Sequence, residues 1–325
     1  MINNKMLVVS ASPHTRSKST TKGIMLDVII ALVPSLIASV IIFGLRALLV
    51  TAVSVCSCVF FEWALRKFVL KKHSTIGDLS AVVTGMLLAF NLPSGISLWM
   101  VVLGALFAIV IAKQCFGGIG QNFVNPAIAG RIFLLLSFGK MMEWAQPMGK
   151  FFNLTGVDAL SGATPLVASQ SELPTLIQMF FGVRGGSLGE TCIFAILLGF
   201  IYLILRGVIN PIIPSCYIGT VAVIMLIAGK GDFEYMLYQI MSGGLFLGAV
   251  FMATDYTTSP IRNSGKAIYA VGCGLVTCLI RLFGNLPEGV SYSIILMNIL
   301  TPLIERFTTP KPFGTVKEKK AEEAK

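Results

Sequence analysis

Ten stretches of this chain stay apolar for most of a bilayer's thickness, and that restricts what it can fold into. They run at 24–44, 46–69, 78–92, 97–115, 122–138, 189–206, 211–229, 236–254, 267–284 and 291–306. A helix of roughly twenty apolar residues crosses a hydrocarbon core about 30 Å thick. In lipid every backbone N–H and C=O must be paired within the protein, which leaves helices as the solution for such runs. Only 12% of the residues are charged, against 55% hydrophobic, which is about half the charge of a soluble domain. The expected fold class is an all-α polytopic membrane protein with about ten transmembrane helices. The third, fifth and tenth stretches are short or interrupted by Gly, Pro or Asn, so short or broken helices are expected among them.

The stretches repeat. Ile24 and Gly189 open the first and sixth, and Arg46 and Pro211 the second and seventh, an offset of 165 in both cases. Lys113 to Gly117 closes the fourth as Arg281 to Gly284 closes the ninth, and Asn125-Pro126 finds a loose counterpart in Asn298 to Pro302. Two repeats of five spans follow, 24–138 and 189–307, joined by a long loop, 139–188. Five is an odd number, so the repeats are expected to be inverted relative to each other. Broken segments at matching positions of inverted repeats point to a site near the midplane, between the halves.

Net charge is +10, but its distribution is that of a membrane protein rather than a nucleic-acid binder. With the N-terminus inside, 18 of the 25 Lys and Arg fall on the cytoplasmic side, six outside, and Arg131 lies within a span. Basic residues concentrate on cytoplasmic loops. Both termini are therefore expected in the cytoplasm, as a polar segment 1–23 and a mixed Lys/Glu tail 308–325 that reads as disordered. Loop 139–188 then faces outward. The first twenty-two residues are polar and basic, without the short apolar core of a cleavable signal. Seven cysteines form no CxxC pair, and nearly all sit inside apolar runs, where they read as small core side chains; Cys115, at a turn, is the exception. Only two histidines occur, His14 and His73, so no metal cluster or Ser/His/Asp arrangement is expected.

Four features carry possible chemistry. The first is Asp158-Ala159-Leu160-Ser161-Gly162-Ala163-Thr164-Pro165-Leu166 in the outward loop. Small residues let a bulky group approach the backbone, and Thr164 supplies a hydroxyl. Taken alone, by its composition, the segment reads first as an ordinary loop turn. The second is the Gly-rich turn Phe116 to Asn122. It reads either as a tight helix–helix turn or, through Gly117, Gly118 and Asn122, as a backbone cradle for a phosphate or a ring edge. The third is Met252 to Pro260, whose hydroxyls and Asp255 either cap a helix end or line a polar cavity. The fourth is the set of membrane charges. Asp27 is a candidate coupling-ion or proton site, Glu62, Glu190 and Glu305 are interfacial candidates, and Arg131 is expected to face an anion, because charge in hydrocarbon is costly unless paired.

Asp158-x-x-Ser161-Gly162-Ala163-Thr164 resembles the flavinylation motif of the Rnf and Na⁺-translocating NADH:quinone reductase families. Further matches to the Rnf D-subunit pattern follow in order. They are Ser12-Pro13-His14, Thr84-Gly85-Met86-Leu87-Leu88-Ala89 with Leu92-Pro93, Lys113-Gln114-Cys115-Phe116-Gly117-Gly118-Ile119-Gly120-Gln121-Asn122, Asn125-Pro126-Ala127, Gly189-Glu190-Thr191, and Gly248 to Asp255 with Thr258-Ser259-Pro260. The resemblance covers about residues 12–307. It implies FMN joined to Thr164 by a phosphoester, with Asp158, Ser161, Gly162 and Ala163 completing the motif and a flavin transferase needed for maturation. It also implies a noncovalent riboflavin or FMN, and a ten-helix inverted repeat similar to urea- and ammonium-channel architecture. The chain would sit in a bacterial inner membrane with the A, B, C, E and G subunits of an Rnf complex, passing electrons between ferredoxin and NAD coupled to Na⁺ or H⁺. It would have no turnover alone. The quinone-reductase B subunit shares these motifs but usually carries a longer N-terminal extension. A flavin-free solute channel of the same architecture is the alternative from another class.

Overall fold

The computed structural model describes residues 19–71, 75–139, 174–284 and 289–310. The attachment segment, with Asp158, Ser161, Gly162, Ala163 and Thr164, lies outside the described residues, as do residues 1–18 and 311–325 of the two tails.

Among the described residues the chain is helical and holds ten apolar segments. Thr20 caps the first, its hydroxyl accepting from the Gly23 N–H at 3.1 Å, and α1 runs Thr21–Phe43. Gly44 alone, at φ 77°, turns the chain into α2, Leu45–Ala64, which continues as a π-helical stretch, Leu65–Val69. Then come α3, Ser80–Phe90; α4, Leu98–Leu106, continued as a π-helix over Phe107–Gln114; and α5, Pro126–Phe138. The second half opens with the short α6, Leu176–Phe181, followed by α7, Ile193–Leu205, and α8, Ile212–Ala228. After them come α9, Phe233–Met241; α10, Leu245–Leu247, with a π-helical continuation Gly248–Met252; α11, Asn263–Phe283; and α12, Val290–Thr308. Four of these are long and apolar enough to span alone, and α9 with α10 makes a fifth candidate bent by 63°.

Three details differ from the expectation. The eighth stretch is not one helix: Ser242, Gly243 and Gly244 break it, Gly243 at φ 65°. The sixth begins only at Ile193, because the preceding residues pair sideways with the end of α3. Leu188 N–H bonds the Leu92 carbonyl at 3.0 Å and Gly189 N–H the Phe90 carbonyl at 2.9 Å. Part of the expected loop 139–188 is helical: α6 starts with a capping box, Thr175 and Gln178 bonding each other's backbone N–H, a signature legible in the sequence.

The two halves pack alike. In the first, α2 packs on α3 and α4, and α4 on α5; in the second, α8 packs on α10's π-helical continuation and α11, and α11 on α12. Across the halves α1 meets α7, and α5 meets α12. The outward faces are apolar: Ile41, Leu136, Leu205, Ile227 and Phe283 are 70–82% exposed. Water would not tolerate so many such faces together, whereas lipid does. Polar groups turn inward instead. The Tyr217 hydroxyl sits 2.6 Å from Thr277 Oγ1 and 2.9 Å from Ser293 Oγ, tying α8, α11 and α12 in a fully buried cluster.

Without a hydrophobic force between helices in lipid, close backbone approach holds them. Gly199 of α7 faces α1 so closely that a Cβ there would lie 2.2 Å from the Ala31 carbonyl oxygen. Gly199→Leu is expected to force α1 and α7 apart and to cost about 3 kcal/mol or more, the upper end of overpacking. A thermal-aggregation midpoint in detergent equal to that of the parent would contradict this.

Candidate functional site

The two breaks expected from the sequence meet. Asn125 caps α5 through Oδ1, which accepts from the Ala127 and Ile128 N–H groups at 3.0 and 3.4 Å, with Pro126 at the first helical position, a favoured helix start. Its Nδ2 reaches the other half and donates to the Met252 carbonyl at 3.2 Å. Asn298, the counterpart of Asn125 in α12, stands beside it. With the Asn298 amide oriented to satisfy both neighbours, its oxygen accepts from the Asn125 N–H at 3.2 Å and its nitrogen donates to the Tyr269 hydroxyl at 2.7 Å.

Between these breaks lies a cavity of about 320 Å³, at the small end of the range for organic ligands. Both halves line it. Val28, Val83, Leu87, Leu203, Val250 and Phe251 form apolar walls, and Ser80, Thr84, Lys113, Asn122, Asn125, Thr254 and Asp255 supply polar groups. Asn122 Nδ2 donates to the Val124 carbonyl at 3.0 Å. Asp255 accepts from the Thr258 hydroxyl at 3.3 Å and the Thr257 N–H at 3.5 Å. The Tyr256 hydroxyl donates to the Val208 carbonyl, which clips this break to the α7–α8 connection. Apolar faces with polar atoms at the edge suit a flat heteroaromatic ring better than a hydrated ion.

Three π-helical turns occur among the described residues, two of which, Phe107–Gln114 and Gly248–Met252, contribute residues to the cavity wall. Their wide bonds run from Leu70 N–H to Leu65 O, Cys115 N–H to Val110 O, and Ala253 N–H to Gly248 O. Such turns re-aim side chains and recur at functional sites. The turn over Phe107–Gln114 presents Lys113 to the cavity. Its Nζ donates to Glu62 Oε2 at 2.7 Å and to Ser80 Oγ at 2.6 Å; Thr75 Oγ1 donates to Glu62 Oε1 at 2.5 Å, and Ser80 Oγ to Asp78 Oδ1 at 2.7 Å. Lys113 and Glu62 are 3% and 1% exposed, so this is an ion pair removed from water. Charge counting along the sequence puts Lys113 on the cytoplasmic side and Glu62 among interfacial acids; the structure adds that the two side chains are buried and paired with each other. A carboxylate within an apolar run calls for a cation elsewhere in the bundle, and that demand is the signal the sequence offers.

The sequence candidates separate. Asn122 and Asp255 come together at the cavity. Gly117 and Gly118 do not line it; at φ 120° and 102° they make the turn, and a side chain on Gly118 would displace the Arg66 guanidinium lying over it. Arg131 is buried elsewhere, donating to Asn91 Oδ1 at 2.7 Å, with Glu190 nearby across Gly244. Asp27 faces α7: it accepts from the Tyr202 hydroxyl at 2.9 Å and from Arg206 at 3.2 and 3.3 Å. Arg206 is 58% exposed, and ion pairs with so exposed a partner contribute little to stability. Asp27→Asn is expected to leave the detergent melting midpoint within about 2 °C of the parent, given how little such pairs contribute. A drop of about 10 °C would show the pair to be a principal anchor of α1 on α7.

Comparison with known proteins places this architecture. The model of the NQR2, RnfD, RnfE family matches residues 8–314. The chain is 47% identical to the D subunit of the Na⁺-translocating ferredoxin:NAD⁺ oxidoreductase complex of Acetobacterium woodii, over 99% of this chain and all of that one. It is 40% identical to the D subunit of the proton-translocating ferredoxin:NAD⁺ oxidoreductase complex of Clostridium ljungdahlii, over 97% and 98% of the two chains. It is 37% identical to the D subunit of the ion-translocating oxidoreductase complex of Stutzerimonas stutzeri, over 91% and 93%. Coverage of both chains nearly end to end, at these identities, leaves one conclusion: the chain belongs to the NQR2, RnfD, RnfE family.

Proposed function

We propose that this chain is the membrane subunit of an ion-translocating ferredoxin:NAD⁺ oxidoreductase complex, carrying FMN on Thr164 and a second, noncovalent flavin in the cavity between its halves. The full-length match to the D subunits of such complexes supports the first part, together with the Asp158-x-x-Ser161-Gly162-Ala163-Thr164 motif. One of those relatives is named for Na⁺ and another for protons, so the coupled ion is Na⁺ or H⁺. The basic-loop end of the bundle, with Arg66 and Lys113, is the cytoplasmic end on this reading, and the Thr164 segment faces the opposite side of the bacterial inner membrane.

Thr164 would hold FMN through its side-chain oxygen as a phosphoester, installed by a flavin transferase. Small neighbours keep the approach open. The cavity is the single observation that carries the noncovalent site. Its residues fit a flavin: Val28, Leu87, Leu203 and Phe251 would exclude water from an aromatic ring, and the Asn122 amide and the Asp255 carboxylate would offer it a donor and acceptors. A bound flavin supplies reversible electron transfer, and the protein supplies position and field. Asn125 holds the two halves at fixed separation through Met252, and Tyr256 holds the second break against Val208. The remaining subunits complete the path to ferredoxin and NAD⁺. Mass spectrometry of the proteolytic peptide containing Thr164 tests the covalent part: the peptide is expected to carry the added mass of FMN, and a bare Thr164 in every copy from the native complex would end this reading.

A further inference from the structure

Among the described residues lining the cavity, Lys113 carries the only positive charge and Asp255 the only negative one. Glu62, the partner of Lys113, is not part of the wall. The pair is thus a dipole with its positive end turned to the cavity and its negative end behind. We propose that the Lys113–Glu62 pair sets the reduction potential of the flavin bound in this cavity, Lys113 favouring the reduced form and Glu62 moderating it. The inference rests on the cavity reading above.

Stability alone does not account for such a pair. Desolvating two charges costs so much that buried ion pairs are often replaceable by apolar residues without loss. A low-dielectric site, however, is where a fixed charge acts most strongly on a neighbouring redox centre. The pair is also held rigidly. Thr75 bonds one Glu62 oxygen and Lys113 the other, and Ser80 accepts from Lys113 while donating to Asp78. Glu62 and Ser80 take two of the three Nζ protons, leaving one for the cavity side. Reduction adds electron density to a flavin ring, so a nearby ammonium stabilises the reduced ring more than the oxidised one. Asp255, across the cavity, opposes it from the second half; Asp78 lies behind Ser80, and Arg66 sits over the Gly118 turn.

The test uses the full chain purified in detergent, in a Thr164→Val background that removes the covalent dye, with riboflavin as the probe and an optical redox titration as the readout. At a given ambient potential, Lys113→Gln is expected to lower the ratio of reduced to oxidised flavin at least tenfold, about 30 mV for a two-electron couple. Glu62→Gln is expected to raise the ratio, and the double variant to return within about threefold of the parent, since the opposing electrostatic terms cancel. Lys113→Arg keeps the charge and is expected to keep the potential. A merely structural pair predicts the same direction for both single variants. Equal-sign shifts, unchanged potentials, or Lys113→Arg behaving like Lys113→Gln would each overturn the proposal. Should both single variants lose riboflavin, the double variant decides: a potential more than tenfold from the parent overturns it, and one close to the parent supports it. A parent protein that takes up no riboflavin overturns the cavity reading and this inference together, whereas bound riboflavin without opposed shifts overturns the inference alone.

Discussion

Thr164→Val is expected to yield a chain with no covalently attached flavin. Valine matches threonine in shape and branching and differs in the hydroxyl, so the substitution removes the nucleophilic oxygen while leaving the Ser161-Gly162-Ala163 run and Pro165 unchanged. On a denaturing gel under illumination the parent band fluoresces and the Thr164→Val band stays dark. Thr164→Ser restores a hydroxyl at the same position and is expected to recover fluorescence. In the assembled complex, ferredoxin-dependent NAD⁺ reduction is expected to fall to background with Thr164→Val, because on the proposed reading the electron path runs through a flavin at that position. The two readouts separate the claims. A dark parent band from a host with the transferase removes the covalent flavin and favours a flavin-free channel of similar architecture. A fluorescent parent, with full turnover in the dark variant, keeps the attachment and removes its place in the electron path.

The ten apolar segments are legible in the sequence because a bilayer sets a length scale that composition must meet. The two breaks are legible too, since Asn125-Pro126 and Asp255 to Pro260 interrupt runs that otherwise continue. What escapes are relations between distant residues. Glu62 and Lys113 lie 51 positions apart, and nothing in either local stretch tells which face each side chain takes. The π-helical widening at Phe107–Gln114, which turns Lys113 inward, has no sequence signature of its own. Arg131, a charge within a span, is expected to face an anion, but its local stretch does not tell that Asn91, 40 positions away, and Glu190, across Gly244, stand beside it. Gly117 and Gly118 leave two readings open because a cradle and a tight turn need the same residue type and the same positive φ, and their backbone angles of 120° and 102° suit either. The break at Ser242 to Gly244 is hidden inside a run whose average hydrophobicity is that of a continuous span.

Thr84→Trp is the sharpest test of the cavity. Thr84 sits on α3 one turn from Ser80, and its hydroxyl is spent within the helix, donating to the Ser80 carbonyl at 2.9 Å. Removing that hydroxyl costs little, so Thr84→Val is expected to bind riboflavin within about threefold of the parent, a change worth less than the 1.4 kcal/mol of a tenfold step. An indole instead extends into about 320 Å³ of existing space rather than into packed neighbours, so the bundle is expected to keep its melting midpoint. Riboflavin binding is then expected to fall at least tenfold, while flavin on Thr164 remains and still lights the gel band. That combination cannot come from global misfolding, since attachment requires a correctly inserted chain. Riboflavin retained at parental affinity in Thr84→Trp would place the noncovalent flavin elsewhere in the complex. In liposomes the same substitution also judges the channel alternative: a solute flux present in the flavin-free parent and blocked by Thr84→Trp would mean the cavity conducts, because the wall residue that obstructs a ring would then obstruct a pore.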